Sequence, residues 1–237
     1  MPSQPSHFSP AALKFMRSLK RNNDRVWFAK NKHIYESEIK APMLAIIAEL
    51  NEQMLTFAPQ HVRPPQKIAM RIYRDIRFSH DKRPYKRNAG AWWSRDGLEK
   101  TSGGGYYFHI GPEGLVIAAG VYMPEREQLL AIRRYIAEHH TEFRKLLAEK
   151  KRLKLMRDFE GTPLTRAPKG FAPDHPAIDL LLPRQWGFSA TLDAEAATKP
   201  TLQKEILARF KAAAPVVDFL NTPLAASLRK RPLFGLN

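Results

Sequence analysis

The 237-residue chain contains no cysteine. That excludes disulfides, thiolate zinc sites and cysteine nucleophiles, and it permits a reducing compartment. Any metal would have to be held by histidine and carboxylate. Long apolar runs are missing as well, and nothing approaches the ~20 residues that a membrane-spanning helix needs. The opening Met1-Pro2-Ser3-Gln4-Pro5-Ser6-His7-Phe8 has neither the charged nor the apolar region of a signal peptide. A soluble, cytoplasmic protein with no membrane partner is therefore expected. Acidic residues are scarce: 23 Asp and Glu face 39 Lys and Arg, for a formal charge of +16.

That charge is concentrated. Residues 61–100 hold eleven Lys and Arg against four acids, residues 144–169 hold nine against three, and residues 229–237 add three more with no acid. Two basic stretches and a basic end fit an acidic partner, either a phosphorylated small molecule or nucleic acid, and a charge kept for solubility is the bland counterpart. With 43% hydrophobic residues the chain can bury a substantial core, and its length suits one large domain or two small ones.

Ser9-Pro10 is a helix start, with Ser as cap, Pro in the first turn and Leu13, Met16 and Leu19 on one stripe to about Arg21. Asn23 or Asp24 caps a second helix bearing Trp27 and Phe28. A longer helical stretch is expected from Lys32 to Phe57, broken or restarted at Pro42, with Leu44, Ile47, Leu50 and Leu55 buried. From Ile68 to Phe78 apolar residues alternate with Arg71, Tyr73, Asp75 and Arg77, which predicts a half-buried strand with those four on its outer face. Further strands are expected at Ala89–Ser94 and in a hairpin, Gly105–Ile110 and Leu115–Tyr122, around the turn Gly111-Pro112-Glu113-Gly114. Helices follow from Pro124 and over Thr141–Arg157. Residues 158–200 read as irregular, and a last helix covers Thr201–Leu220. The sum is an α+β fold, an antiparallel sheet with N-terminal and C-terminal helices packed on it.

The densest chemistry lies in segment 74–88, where cations, Asp75, Asp81 and Tyr85 surround Pro84. Guanidinium forks grip phosphate or carboxylate with two prongs, lysines add point charge, and a Pro-restrained loop loses little entropy on holding an anion. Arg71, Arg77, Lys82, Arg83, Tyr85 and Lys86 are therefore the candidate ligand-binding residues. The bland alternative pairs Arg71, Asp75, Arg77 and Asp81 with one another. Strand alternation puts Tyr107 and His109 on one face of the hairpin, so Asp75, His109 and Tyr107 form the candidate catalytic group, with His109 as acid or base. A histidine simply hydrogen-bonded within the sheet is the competing reading.

Other motifs exclude themselves. Ser102-Gly103-Gly104-Gly105 lacks the Lys-Ser/Thr of a phosphate loop and leads into a strand. His139-His140 does not match zinc-helix spacing, so no metal is assigned and no cofactor is named. Trp92, Trp93, Tyr85, Tyr106 and Tyr107 among cations offer a stacking platform, although Trp92 and Trp93 divide more naturally into one core and one surface residue. The function expected is a basic cleft binding a phosphate-bearing ligand, as an enzyme or not. A nucleic-acid-binding module and a noncatalytic interaction domain are the alternatives.

The runs RDIRFSHDKRPYKRN, GGGYYFHIGPEGLVIAAGVYMP with the helix residues IRRYI after it, and PLTRAPKGFAPDHPAIDLLL occur here in that order. They resemble successive blocks of the uncharacterised microbial family called domain of unknown function 2461. The resemblance spans Phe8 to about Leu224. It implies one domain and carries no chemistry; the basic residues after the last helix read separately as a mobile tail over 229–237, which puts the domain at residues 1–228.

Overall fold

The Ser9 hydroxyl accepts the Ala12 N–H and Pro10 occupies the first turn, so helix α1 runs Pro10–Arg21 with Leu13, Met16 and Leu19 buried. Asp24 caps α2 (Arg25–Ile34) in the same way, accepting the Trp27 N–H at 2.8 Å. The structure, a computed structural model, describes residues 6–98, 103–159 and 162–229, with side chains to residue 225. The expected basic tail, beyond the backbone of Arg229, and Ser102 of the glycine-rich motif lie outside the described residues.

The expected helix over 32–57 is three consecutive pieces: the end of α2, a π-helical segment Tyr35–Lys40, and α3 (Ala41–Met54) with Pro42 in its first turn. Leu55 follows the last residue of α3 and is exposed, so Ile46, Ile47, Leu50 and Met54 form the buried side in its place. A single turn, α4 (Pro65–Ile68), precedes the sheet. The later helices are α5 (Arg126–Glu138), α6 (His140–Leu147), α7 (Lys150–Leu155), α8 (Ile178–Leu181) and α9 (Leu202–Arg229). The helix expected over 141–157 divides because the Glu149 carboxylate takes the Arg152 N–H at 2.7 Å and starts a new one. Helix α9 continues past Leu220 and contains Pro215 and Pro223.

Among the described residues the strands are β1 (Ala89–Ser94), β2 (Gly105–Gly111), β3 (Gly114–Val121), β4 (Arg157–Asp158) and β5 (Trp186–Leu192). They form one antiparallel sheet in the order β1-β2-β3-β5-β4, flanked by helices: an α+β fold. β1 and the β2–β3 hairpin fall where the alternation puts them. β5 lies in the stretch expected to be irregular, and it pairs Ser189 with Arg157 and Phe188 with Asp158.

The strand expected over 68–78 is not one. Ile68 closes α4, and the chain beyond it makes isolated antiparallel bridges, Ala69 with Ala91 and Tyr73 with Tyr85. Alternation survives as burial: Ile72 is buried while Arg71, Tyr73, Asp75 and Arg77 are exposed. It fails at Phe78, which is 94% exposed. The physical reason is local competition. The Asp75 carboxylate takes the Arg77 N–H, as Asp81 takes that of Arg83, which turns the backbone away from any ladder.

By its contacts the chain divides into two compact units. The first comprises Met1–Trp93, Tyr107–Ile117 and Ala190–Ala208. Its core is built on Trp93 and Phe108, ring centroids 5.9 Å apart, with Asn51 accepting the Trp93 indole N–H at 2.8 Å. The second comprises Ser94–Tyr106, Ala118–Ser189 and Arg209–Asn237. There Phe143 stacks on Phe219 at 4.8 Å, Tyr106 meets Phe210, and the Asn221 amide bonds both backbone groups of Gly104. Gly120, at φ +127°, lets the chain pass the Trp186 carbonyl, 2.3 Å from where a Cβ would stand. Among the described residues no helix is long and apolar enough to cross a membrane.

Candidate functional site

Segment 72–86 is a short ribbon closed on a loop. Arg74 N–H donates to the Pro84 carbonyl at 2.9 Å and Lys86 N–H to that of Ile72 at 2.8 Å, which leaves residues 75–83 as the loop. The ribbon is seated on the N-terminal helices through Tyr85, only 5% exposed, whose ring stacks on Phe28 at 4.1 Å. Burial raises the pKa of its phenol. Asn23 completes the seat by bonding both backbone groups of Tyr85.

Within the loop the pattern Asp-x-Arg occurs twice with one geometry. Arg77 forks onto Asp75 through Nε at 3.1 Å and Nη2 at 2.8 Å, and Arg83 onto Asp81 through Nε at 2.8 Å and Nη2 at 2.7 Å. These bonds hold the Asp75 pKa down at about 2 and that of Asp81 well below the usual carboxylate range. Arg74, half-buried, braces the loop from inside, with Nη1 on Asp81 at 2.8 Å and on the Arg83 carbonyl at 3.0 Å. Lys82 bends back onto the Ile76 carbonyl at 3.1 Å.

Beside this loop lies a cleft of about 370 Å³, lined by Arg74, Arg83, Lys86 and Arg87 with Asp81, Asn88, Tyr107, Asn23, Met70 and Tyr85. Four cations thus face one carboxylate, and that carboxylate is already bonded to two of them. A more open depression of about 640 Å³ shares Asn23, Asp81 and Arg83 with the cleft and is lined also by Lys82.

The sheet end of the cleft carries an ordered pair. Tyr107 and His109, two residues apart on β2, share a face, and the Tyr107 hydroxyl is hydrogen-bonded to His109 Nδ1 at 2.9 Å. Gly90 on β1 makes the room: a Cβ there would stand 3.2 Å from the Tyr107 oxygen and 3.2 Å from His109 Cβ. Burial lowers the His109 pKa, and the opposing influence is the Glu113 carboxylate in the hairpin turn. Glu113 is itself paired with Lys20 at 2.9 Å and lies 3.9 Å from Arg87.

The structure therefore brings together Arg83, Lys86, Tyr85 and Tyr107 of the expected residues, with His109 behind Tyr107. Lys82 sits in the neighbouring depression. Asp75 and Arg77 form their own exposed pair, Arg71 is exposed near Asp75, and the carboxylate acting on His109 is Glu113. Tyr85 contributes to the cleft wall while its ring serves the core. Of the proposed stacking residues, Trp93, Tyr106 and Tyr85 are buried and Trp92 is half-buried. Arg74, Arg87 and Asn88 belong to the expected segment 74–88 without being among its named ligand-binding residues, and Asn23 and Glu113 come from outside it. Arg74 had a signal, since it is the one charged residue on the apolar side of the alternation in 68–78. Among the described residues no three His, Asp or Glu side chains gather as a metal ion would need.

Sheet, flanking helices and cation-lined cleft define an α+β protein with a basic site in its first unit. Residues 11–219 match the family described as "Conserved hypothetical protein (DUF2461)", and the chain belongs to that family. No curated protein matches the chain.

Proposed function

We propose that the cleft between the 75–83 loop and Tyr107 binds a phosphate-bearing ligand. The observation that carries this reading is the convergence of Arg74, Arg83, Lys86 and Arg87 on one small volume whose single acid is already satisfied. The volume lies within the range of small-ligand sites. Arg74 and Arg83 are held rigid by Asp81, so little side-chain entropy is lost when an anion arrives. Lys86 and Arg87 supply charge from the outgoing arm of the ribbon, and Asn88 and Tyr107 add neutral hydrogen-bonding groups. The hydrogen bond to His109 Nδ1 holds the Tyr107 phenol in place, which gives the polar end of the site a fixed group.

Titration with inorganic pyrophosphate, followed by intrinsic fluorescence, tests the reading, because the Trp92 ring lies 5.8 Å from that of Tyr107. Saturable binding is expected. Lys86→Ala with Arg87→Ala should weaken it about tenfold or more, the scale of lost charge-assisted hydrogen bonds, in a variant that circular dichroism shows to be folded. An affinity unaltered in the folded double variant would remove the cleft as the site.

A further inference from the structure

Phe78, in the turn at 77–78 of the loop, is 94% exposed. A lone exposed aromatic ordinarily needs no explanation. The loop that carries this one is tied at several points. The Arg77 guanidinium lies 5.8 Å from the ring centroid and is itself anchored by two bonds to Asp75. Lys82 pins the Ile76 carbonyl, and Arg74 ties Asp81 and the Arg83 carbonyl at the loop base. A loop tied in this way loses less backbone entropy when something packs on its ring, and with two donors spent on Asp75 the Arg77 fork offers chiefly its flat face. Phe78 and Arg77 together present a planar stacking element in a basic setting.

We infer that the 75–83 loop is a base-stacking finger and that the phosphate-bearing ligand is a single-stranded nucleic acid. This deepens the reading of the cleft and rests on it: a backbone phosphate sits among Arg74, Lys86 and Arg87 while an unpaired base stacks on Phe78. Loop and cleft are contiguous, since Asp81 and Arg83 belong to both. A single strand fits better than a duplex, whose bases are already stacked on one another. It also fits better than an anionic membrane, because one ring flanked by Asp75 and Asp81 is a poor insertion surface, whereas stacking needs only one face.

The test measures binding of a fluorescent oligothymidylate to the full chain, with pyrophosphate in parallel. Phe78→Ala, at a fully exposed position, should weaken oligonucleotide binding between about fivefold and about a hundredfold, the range of one base–aromatic stack, and leave pyrophosphate affinity unchanged. Phe78→Trp should restore binding, with quenching of the new indole. Oligonucleotide affinity unaffected by Phe78→Ala overturns the inference and leaves the cleft reading intact, as does pyrophosphate binding without oligonucleotide binding. Failure of both ligands overturns both. Phe78-dependent binding to phosphatidylserine vesicles, with oligonucleotide binding indifferent to Phe78, reassigns the finger to a membrane and overturns the inference.

Discussion

The carboxamide of Asn23 holds both backbone hydrogen bonds of Tyr85, 62 residues further along: Oδ1 accepts the N–H and Nδ2 donates to the C=O, each at 3.0 Å. One side chain thus does for Tyr85 what a neighbouring strand would do. Asn23→Ala leaves two partly buried backbone groups unsatisfied, and about 1–3 kcal/mol of stability should be lost in urea denaturation. Pyrophosphate binding should weaken with it, because the ribbon that carries Lys86 is released. Asn23→Asp keeps the acceptor and loses the donor, so it should fall between.

Tyr85 separates a structural role from a ligand-binding one. If the ring's stack on Phe28 is its contribution, Tyr85→Phe retains both stability and anion affinity. Tyr85→Ala should cost about 3–5 kcal/mol, as large-to-small changes at buried aromatics do. Loss of binding in Tyr85→Phe at native stability would show instead that the hydroxyl meets the ligand.

Asn221 repeats the Asn23 arrangement in the second unit, accepting the Gly104 N–H at 2.8 Å and donating to its carbonyl at 3.0 Å, in full burial. Asn221→Ala should destabilise by about 2–4 kcal/mol, since water cannot replace the lost partner at little cost. Asn221→Asp should be worse, because it sets a buried carboxylate against a carbonyl oxygen.

The histidine in the sheet gives a pH signature. Burial lowers the His109 pKa below its ordinary 6.5, so the unfolded chain binds a proton there more readily than the folded one. Its contribution to stability is therefore fully present above about 6.5 and is lost as pH falls from there through the lowered value. An NMR titration of the His109 ring should show a midpoint below 6.5. In His109→Gln, stability should depend less steeply on pH across that window, and a midpoint above 6.5 would contradict the assignment.

How much the sequence disclosed depended on the range of each interaction. Ser9 and Asp24 act within three residues, so α1 and α2 are legible from their caps. The turn Gly111-Pro112-Glu113-Gly114 between alternating arms gives the hairpin in the same way. β5 is not legible, because Gly187 interrupts its apolar run for a reason fixed elsewhere in the chain: a Cβ there would stand 2.2 Å from the Phe159 ring. Segment 68–78 shows the opposite failure, a true period of two whose ladder is pre-empted by Asp75 and Asp81. In the site the pairing of Tyr107 with His109 follows from spacing alone. Glu113 does not, since a turn residue reveals neither its lysine partner nor the imidazole it influences.

The π-helical segment Tyr35–Lys40 has a consequence for the length of the chain. A π turn is an α-helix with one residue too many, so deleting a residue there restores regular bonding and leaves everything from Ala41 onward in phase. The same deletion inside α1 or α3 would rotate every following side chain by ~100° about the helix axis. Tyr35 meets Phe28, Glu38 receives the Ser9 hydroxyl and Ile39 is buried, so exposed Ser37 is the residue the helix can best lose. Within this helical stretch, the protein can become one residue shorter at that turn and keep its fold.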